Sequence, residues 1–397
     1  MSVPYEVRES ENRKVVAAMA RTFDRKKAAA AFQRTRLSKT GQIDPLRVVN
    51  YRFSDDIFRR NAITPKGKNH GVVVFLDWSG SMDRILVDSV NQTLLLADFC
   101  RKVNVPFEVY IFTDAYGDNT GKIFDDNPDG YQTGYECTRL VNVLSSRANR
   151  RDHEILKRAF YNRAISASGD RQGGTYDHRF RLGGTPLETA IVASRDLIRN
   201  FKAANGVEIV NAVWITDGQG SREFSGVGEN LYSEHRRAIL DGSFSITEEP
   251  STVPTHYRDM SPALFRWVAA TTGANMIGIF LHPYDRNLPS SIVNRIRPSW
   301  DAPSSDHERY QESMASLMKI WQQDSFMEVS ADYSGHLGYD SYFLLNPTRP
   351  KGQTSATVNE NATKTAYKNA VIREGAMRKA QCALMECVAE AIAKGRY

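Results

Sequence analysis

Gly71-Val72-Val73-Val74-Phe75-Leu76 runs directly into Asp77-Trp78-Ser79-Gly80-Ser81-Met82. A short unbroken apolar run of this kind reads as a strand buried on both faces, as in a parallel sheet. Asp77, Ser79 and Ser81 then emerge together at its carboxyl end, where open α/β sheets bind ligands. One carboxylate and two hydroxyls at alternate positions suit a hard divalent cation, Mg²⁺ or Mn²⁺. Gly80 lets the backbone fold closely around an ion.

Two later segments extend the pattern. Arg181-Leu182-Gly183-Gly184-Thr185-Pro186-Leu187-Glu188 places a hydroxyl just before a helix, with Pro186 suited to its first turn. Ile209-Val210-Asn211-Ala212-Val213-Trp214-Ile215-Thr216-Asp217-Gly218 is a second apolar strand ending in a carboxylate. The order D-x-S-x-S, G-G-T-P, T-D-G resembles the metal-ion-dependent adhesion site (MIDAS) of von Willebrand factor A (vWA) domains. The resemblance implies Ser79, Ser81 and Thr185 as direct metal ligands. It implies Asp77 and Asp217 as carboxylates acting directly or through bound water, and an open position that a partner's acidic side chain can fill. The competing reading of Asp77 to Met82 is an ordinary capping loop after a strand.

Strands alternate with helices along the chain, which predicts a doubly wound, mostly parallel α/β sheet of the vWA/Rossmann-like kind. Strands are expected at 71–76, 107–112, 208–216, 275–281 and 342–345. Helices are expected at 9–36, 85–103, 186–201 and 261–271, with a final one at 361–394. Three domains of sequence follow. Residues 1–66 form a basic, partly helical N-terminal extension, 67–348 the vWA domain, and 349–397 a C-terminal helical extension. Stretches at 115–182, 218–258 and 283–305 exceed ordinary connection lengths and read as insertions. Within the first, 140–146 and the helical 150–161 are expected to pack on the domain edge. Trp78, set between ion-site residues, either packs under the 218–258 loop or faces a partner.

The chain of 397 residues carries a net charge of +6, unevenly placed. Residues 1–70 hold 16 Lys/Arg against 7 Asp/Glu, a surplus that leaves the remainder slightly acidic. Such a segment can meet an acidic protein surface or nucleic acid, or can be a solvated helix face packed on its own domain. No stretch approaches the roughly 18 apolar residues needed to span a bilayer, and Met1 to Glu6 lacks a signal-peptide pattern. Cys100, Cys137, Cys382 and Cys387 form no C-x-x-C. A reduced, cytoplasmic setting is therefore expected, the host cytoplasm if the chain is phage-encoded.

The lead-in Thr40-Gly41-Gln42-Ile43-Asp44, with Arg47 beyond it, resembles that of CobT-type proteins, the vWA accessory subunits of the cobaltochelatase system. Together with Lys68-Asn69-His70-Gly71 and the ion loop it is most similar to the short versions carried by tailed bacteriophages. The long acidic linker of cellular CobT is absent. The resemblance implies a non-catalytic adaptor that works with a MoxR/CobS-type AAA+ ATPase and a client protein. No G-x-x-x-x-G-K-[ST] occurs, so the chain is not that ATPase. The alternative is a nucleic-acid-associated or virion-associated vWA protein using its basic N-terminal arm for weak contacts. A metal-dependent hydrolase fits least. A haloacid-dehalogenase-type site needs an aspartate where Ser79 stands, and a nucleophile elbow needs a glycine where Asp77 stands.

Overall fold

The computed structural model describes residues 4–34, 36–37, 49, 51–53, 62–63, 69–114, 138–168, 180, 182–217, 261–282, 304–323, 326–329 and 337–345. The predicted helix 361–394, the lead-in 40–47, and the stretches 115–137, 218–258 and 283–303 lie outside these residues.

Helix α1 spans Tyr5–Arg34 and is followed by the short antiparallel pair β1 (Arg36–Leu37) and β2 (Ala62–Ile63). The main sheet then begins with β3 (His70–Asp77), α2 (Leu86–Lys102), β4 (Phe107–Thr113), β5 (Arg139–Ser145) and α3 (Arg150–Ala167). Helix α4 (Leu187–Asn205) leads to β6 (Ile209–Thr216), and α5 (Ser261–Thr272) leads to β7 (Asn275–Leu281). The described elements end with α6 (Ser304–Gln323), β8 (Phe326–Val329) and β9 (Ser341–Leu345).

The seven strands lie in the order β5-β4-β3-β6-β7-β9-β8. The inner five run parallel, whereas β5 and β8 pair antiparallel at the two edges. The sheet is therefore mixed. An antiparallel edge strand needs only a reversal of the chain, whereas each inner parallel strand needs a crossover, here supplied by a helix. The segments 140–146 and 150–161, expected at the domain edge, correspond to the edge strand β5 and the covering helix α3.

Both faces of β3 are buried, and its side chains alternate between them. Val72, Val74 and Leu76 join one apolar cluster with residues of α1, α2 and α3. Val73 and Phe75 join the other, with residues of α4, α5 and α6. Across the second face the paired residues Tyr110, Phe75 and Trp214 form an aromatic row, with ring centroids 5.8 and 4.3 Å apart. Trp214 also meets Phe265 of α5 edge-on at 5.1 Å. Stacked and edge-on rings hold close packing with defined geometry. This row lies two residues below Asp77 and gives the site a stiff floor. Helix α4 ends at Gly206, whose φ of 61° is the left-handed conformation that glycine adopts without penalty.

The basic N-terminal segment is not a free arm over its first half. Tyr5, Val15, Val16, Met19 and Ala20 of α1 are buried, and Asn12 donates to Asn91 of α2 at 2.9 Å. A charged cluster helps seat the helix. Lys157 of α3, almost fully buried, lies 3.0 Å from Asp98, 3.2 Å from Glu154 and 3.9 Å from Glu9. Three nearby carboxylates compensate a charge that alone would be costly to bury.

Helix α6 and strand β8 were not expected from the sequence. Tyr310, Met314, Leu317, Met318 and Trp321 form a helical stripe packed on the second apolar cluster. Charged and polar residues between them dilute that stripe, and four-residue β8 is too short to show a period. No helix among the described residues is long and apolar enough to cross a membrane.

Candidate metal site at the strand ends

Strand order reverses at β3: β4 lies on one side and β6 on the other, with helices on opposite faces. The carboxyl ends of β3 and β6 flank the resulting crevice, the usual ligand position of an open α/β sheet. Asp77 is the last residue of β3, and Asp217 directly follows β6. The apolar runs thus bring to one edge two carboxylates far apart in sequence.

Asp77 is fully buried. Its Oδ2 accepts the Thr216 hydroxyl hydrogen at 2.9 Å. Its Oδ1 is buried and has no hydrogen-bond partner. Burial, and then the charge of Asp217, push the Asp77 carboxyl up to about 8, against the pull of the nearby Ser79 hydroxyl, the Thr216 hydroxyl and the Ser79 N–H. Asp217 is half-buried, and burial raises its carboxyl too, partly offset by the Ser81 hydroxyl. Asp217 thus raises the cost of ionising Asp77, and two such neighbouring carboxylates are the electrostatic condition for a cation between them.

The two serines sit on the turn after β3. Ser79 is buried and Ser81 exposed, and their hydroxyl oxygens lie 2.9 Å apart. A 3₁₀ turn over Gly80–Arg84 follows and hands the chain to α2.

Thr185 is buried just before α4. Pro186 caps the helix, which starts at Leu187, one residue later than expected. The preceding glycines are pinned. Ser79 and Gly183 form an isolated parallel bridge, and Gly80 N–H donates to the Gly183 carbonyl at 2.8 Å. The adjoining Gly184 N–H donates to the Asp114 carboxylate. The structure thus brings Asp77, Ser79, Ser81 and Asp217 to one crevice and fastens the Thr185 loop beside it.

Asp114 was missed as a site residue. It directly follows β4, is buried, and touches the threonine loop across a gap of 70 residues. Only its position after an apolar strand, shared with Asp77 and Asp217, could have flagged it.

The 218–258 stretch lies outside the described residues, and Trp78 packs inward, on residues of α3 and on Phe180. It is fully buried, its ring stacks on Phe160 of α3 with centroids 5.8 Å apart, and its Nε1 donates to the Phe180 carbonyl at 2.9 Å. The Arg163 guanidinium lies over the Phe180 ring at 4.8 Å. This aromatic group anchors the turn that carries both serines.

Fold and site together define an α/β protein with a mixed sheet and an oxygen-rich cluster at the strand ends. No family model matches the chain, and no curated protein matches it. Among solved structures, the pilus adhesin SpaC from Lactobacillus rhamnosus GG in its open conformation aligns with 64% of this chain and 30% of its own, at 14% identity and a TM-score of 0.30. Three N-terminal domains of the type V pili tip protein Mfa5 from Porphyromonas gingivalis align with 56% of this chain and 32% of their own, at 13% identity and a TM-score of 0.23. The chain spans less than a third of either structure's length. The description of the fold rests on its strand order and packing, not on these distant likenesses.

Proposed function

We propose that the chain is a metal-ion-dependent protein-binding module of the vWA type, acting as a non-catalytic adaptor for a MoxR/CobS-type AAA+ ATPase and a client protein. The observation that carries this reading is Asp77 Oδ1, a buried carboxylate oxygen with no hydrogen-bond partner, in a crevice shared with Asp217 and two serine hydroxyls. A buried polar atom left unsatisfied costs about 1–3 kcal/mol, more when charged. A bound cation removes that cost.

The donors are all oxygen, which suits Mg²⁺ or Mn²⁺ over softer metals. Ser79, Ser81 and Thr185 would hold the ion directly, with Asp77 and Asp217 bound to it or to its water. Largely neutral direct ligands leave the ion electron-poor, so an acidic side chain from a partner is the natural further ligand. Calorimetric titration of Mn²⁺ into the full chain tests the reading. One ion per chain is expected, with binding lost in Ser79→Ala/Ser81→Ala while metal-free melting is unchanged. Equal binding by that variant would remove the serines from the site.

A further inference from the structure

We infer that Asp114 is a positioning residue of the cation site, setting metal affinity by fixing the peptide group that precedes Thr185; this rests on the cation reading above. The carbonyl of Gly183 and the N–H of Gly184 belong to a single planar trans peptide, so they point in opposite directions. Each end is held. The carbonyl accepts from Gly80 N–H at 2.8 Å, on the turn that carries Ser79 and Ser81. The N–H donates to the Asp114 carboxylate, at the end of β4. Thr185 is the next residue, so its placement follows from that of the clamped peptide.

Both anchors are rigid. Asp114 follows the fully buried Thr113. Residue 112 of β4 is paired with Asp77, and its carbonyl accepts from Trp78 N–H at 3.0 Å. The position of Gly184 is matched to Asp114 as well, because a Cβ there would run into the Asp114 carboxylate. A carboxylate that orients a ligand loop through a charge-assisted hydrogen bond affects metal affinity without touching the metal.

The test is Mn²⁺ titration of the full chain, read beside metal-free melting. Asp114→Ala should weaken Mn²⁺ binding about tenfold or more, the usual effect of losing a group that orients a ligand. Asp114→Asn keeps an oxygen that accepts from Gly184 N–H and should stay close to wild type. Gly184→Ala should also weaken binding, but should add little in an Asp114→Ala background, where the obstructing carboxylate is gone. If the wild type binds Mn²⁺ and Asp114→Ala binds it equally well, Asp114 has no positioning role and the cation reading stands. Losses from Gly184→Ala and Asp114→Ala that simply add would also overturn the inference, and this pair decides the matter if Asp114→Ala alone lowers metal-free melting. A wild type that binds no Mn²⁺ overturns the cation reading and this inference with it.

Discussion

The Thr216 hydroxyl donates to Asp77 Oδ2 across 2.9 Å, joining the ends of β3 and β6 on the two sides of the crevice. That bond fixes the carboxylate plane and leaves Oδ1 as the oxygen available to an ion. The aromatic row beneath it, Tyr110 to Phe75 to Trp214, limits rearrangement. The Asp77 carboxylate is thus preorganised.

The first expected outcome concerns Asp77→Asn. The substitution removes a buried titratable carboxyl but keeps the shape and the acceptor for Thr216. Without metal the variant should melt at or above the wild-type temperature near neutral pH, because burial and Asp217 disfavour the charge. Added Mg²⁺ or Mn²⁺ should raise wild-type melting by mass action and leave the variant unmoved. An equal metal-dependent rise in both proteins would exclude Asp77 from the site.

This carboxylate was legible because its signal is local: a hydrophobic run, then polar residues at alternate positions. The same holds for Ser79, Ser81 and Asp217, and for the strands that carry them. The antiparallel direction of β5 was not legible, since Arg139–Ser145 shows neither an unbroken apolar run nor a clean alternation. Asp114 escaped for a related reason. Its partner is a backbone N–H in a distant loop, and an aspartate after a strand otherwise reads as a turn residue. Whether Trp78 packs inward or faces a partner could not be read from its polar neighbours, because its covering residues, Phe160 and Phe180, are remote in sequence.

A second outcome is the pH dependence of the metal-free protein. Asp77 holds its proton in the folded state up to about 8, whereas in the unfolded chain an aspartate releases it near about 3.9. Between those values the folded state binds more protons than the unfolded one. The contribution of Asp77 to stability therefore falls as pH rises through this window. Asp217, raised in the same direction, adds to the slope. Urea unfolding in EDTA across the window should show the decline in wild type and a shallower one in Asp77→Asn. Saturating Mg²⁺ should flatten it, because the cation favours the charged carboxylates. A wild-type slope in EDTA no steeper than that of Asp77→Asn would contradict the assignment.

A third outcome separates packing from recognition at Trp78. Truncation to alanine removes the stack on Phe160 and the hydrogen bond to the Phe180 carbonyl. Large aromatic-to-alanine changes in a core cost about 3–5 kcal/mol, and chemical denaturation should show a loss of that order. Any weaker metal binding should appear in proportion to loosening of the serine turn. Unchanged stability with a lost partner contact would instead make Trp78 a recognition residue.

A fourth outcome concerns the seating of α1. Asp98→Ala removes the nearest carboxylate from Lys157 and the partner of His153 Nε2 at 3.1 Å. Breaking a buried ion pair costs about 3–5 kcal/mol. Glu154 and Glu9 remain near Lys157, so the low end, about 3 kcal/mol, is expected in urea unfolding. Limited proteolysis should cut within Tyr5–Arg34 sooner than in wild type. A variant as stable and as resistant as wild type would show that the cluster does not hold the helix.

The last outcome tests the adaptor reading through its partner. Metal-bound wild type, incubated with extract of its native host in Mg²⁺ and nucleotide, should recover a ring-forming AAA+ ATPase. An acidic side chain of the ATPase or client is expected to reach the ion, so Ser79→Ala/Ser81→Ala and excess EDTA should each abolish recovery. EDTA also strips the nucleotide's own Mg²⁺, so the double mutant is the cleaner control. Exposed basic residues such as Arg13, Lys14, Arg21 and Arg25 on α1 should add salt-sensitive attraction, felt mainly in the association rate. Recovery that persists in the double mutant would detach partner binding from the ion. Recovery of nucleic acid and no ATPase, lost on neutralising those basic residues, would favour the nucleic-acid or virion-associated alternative.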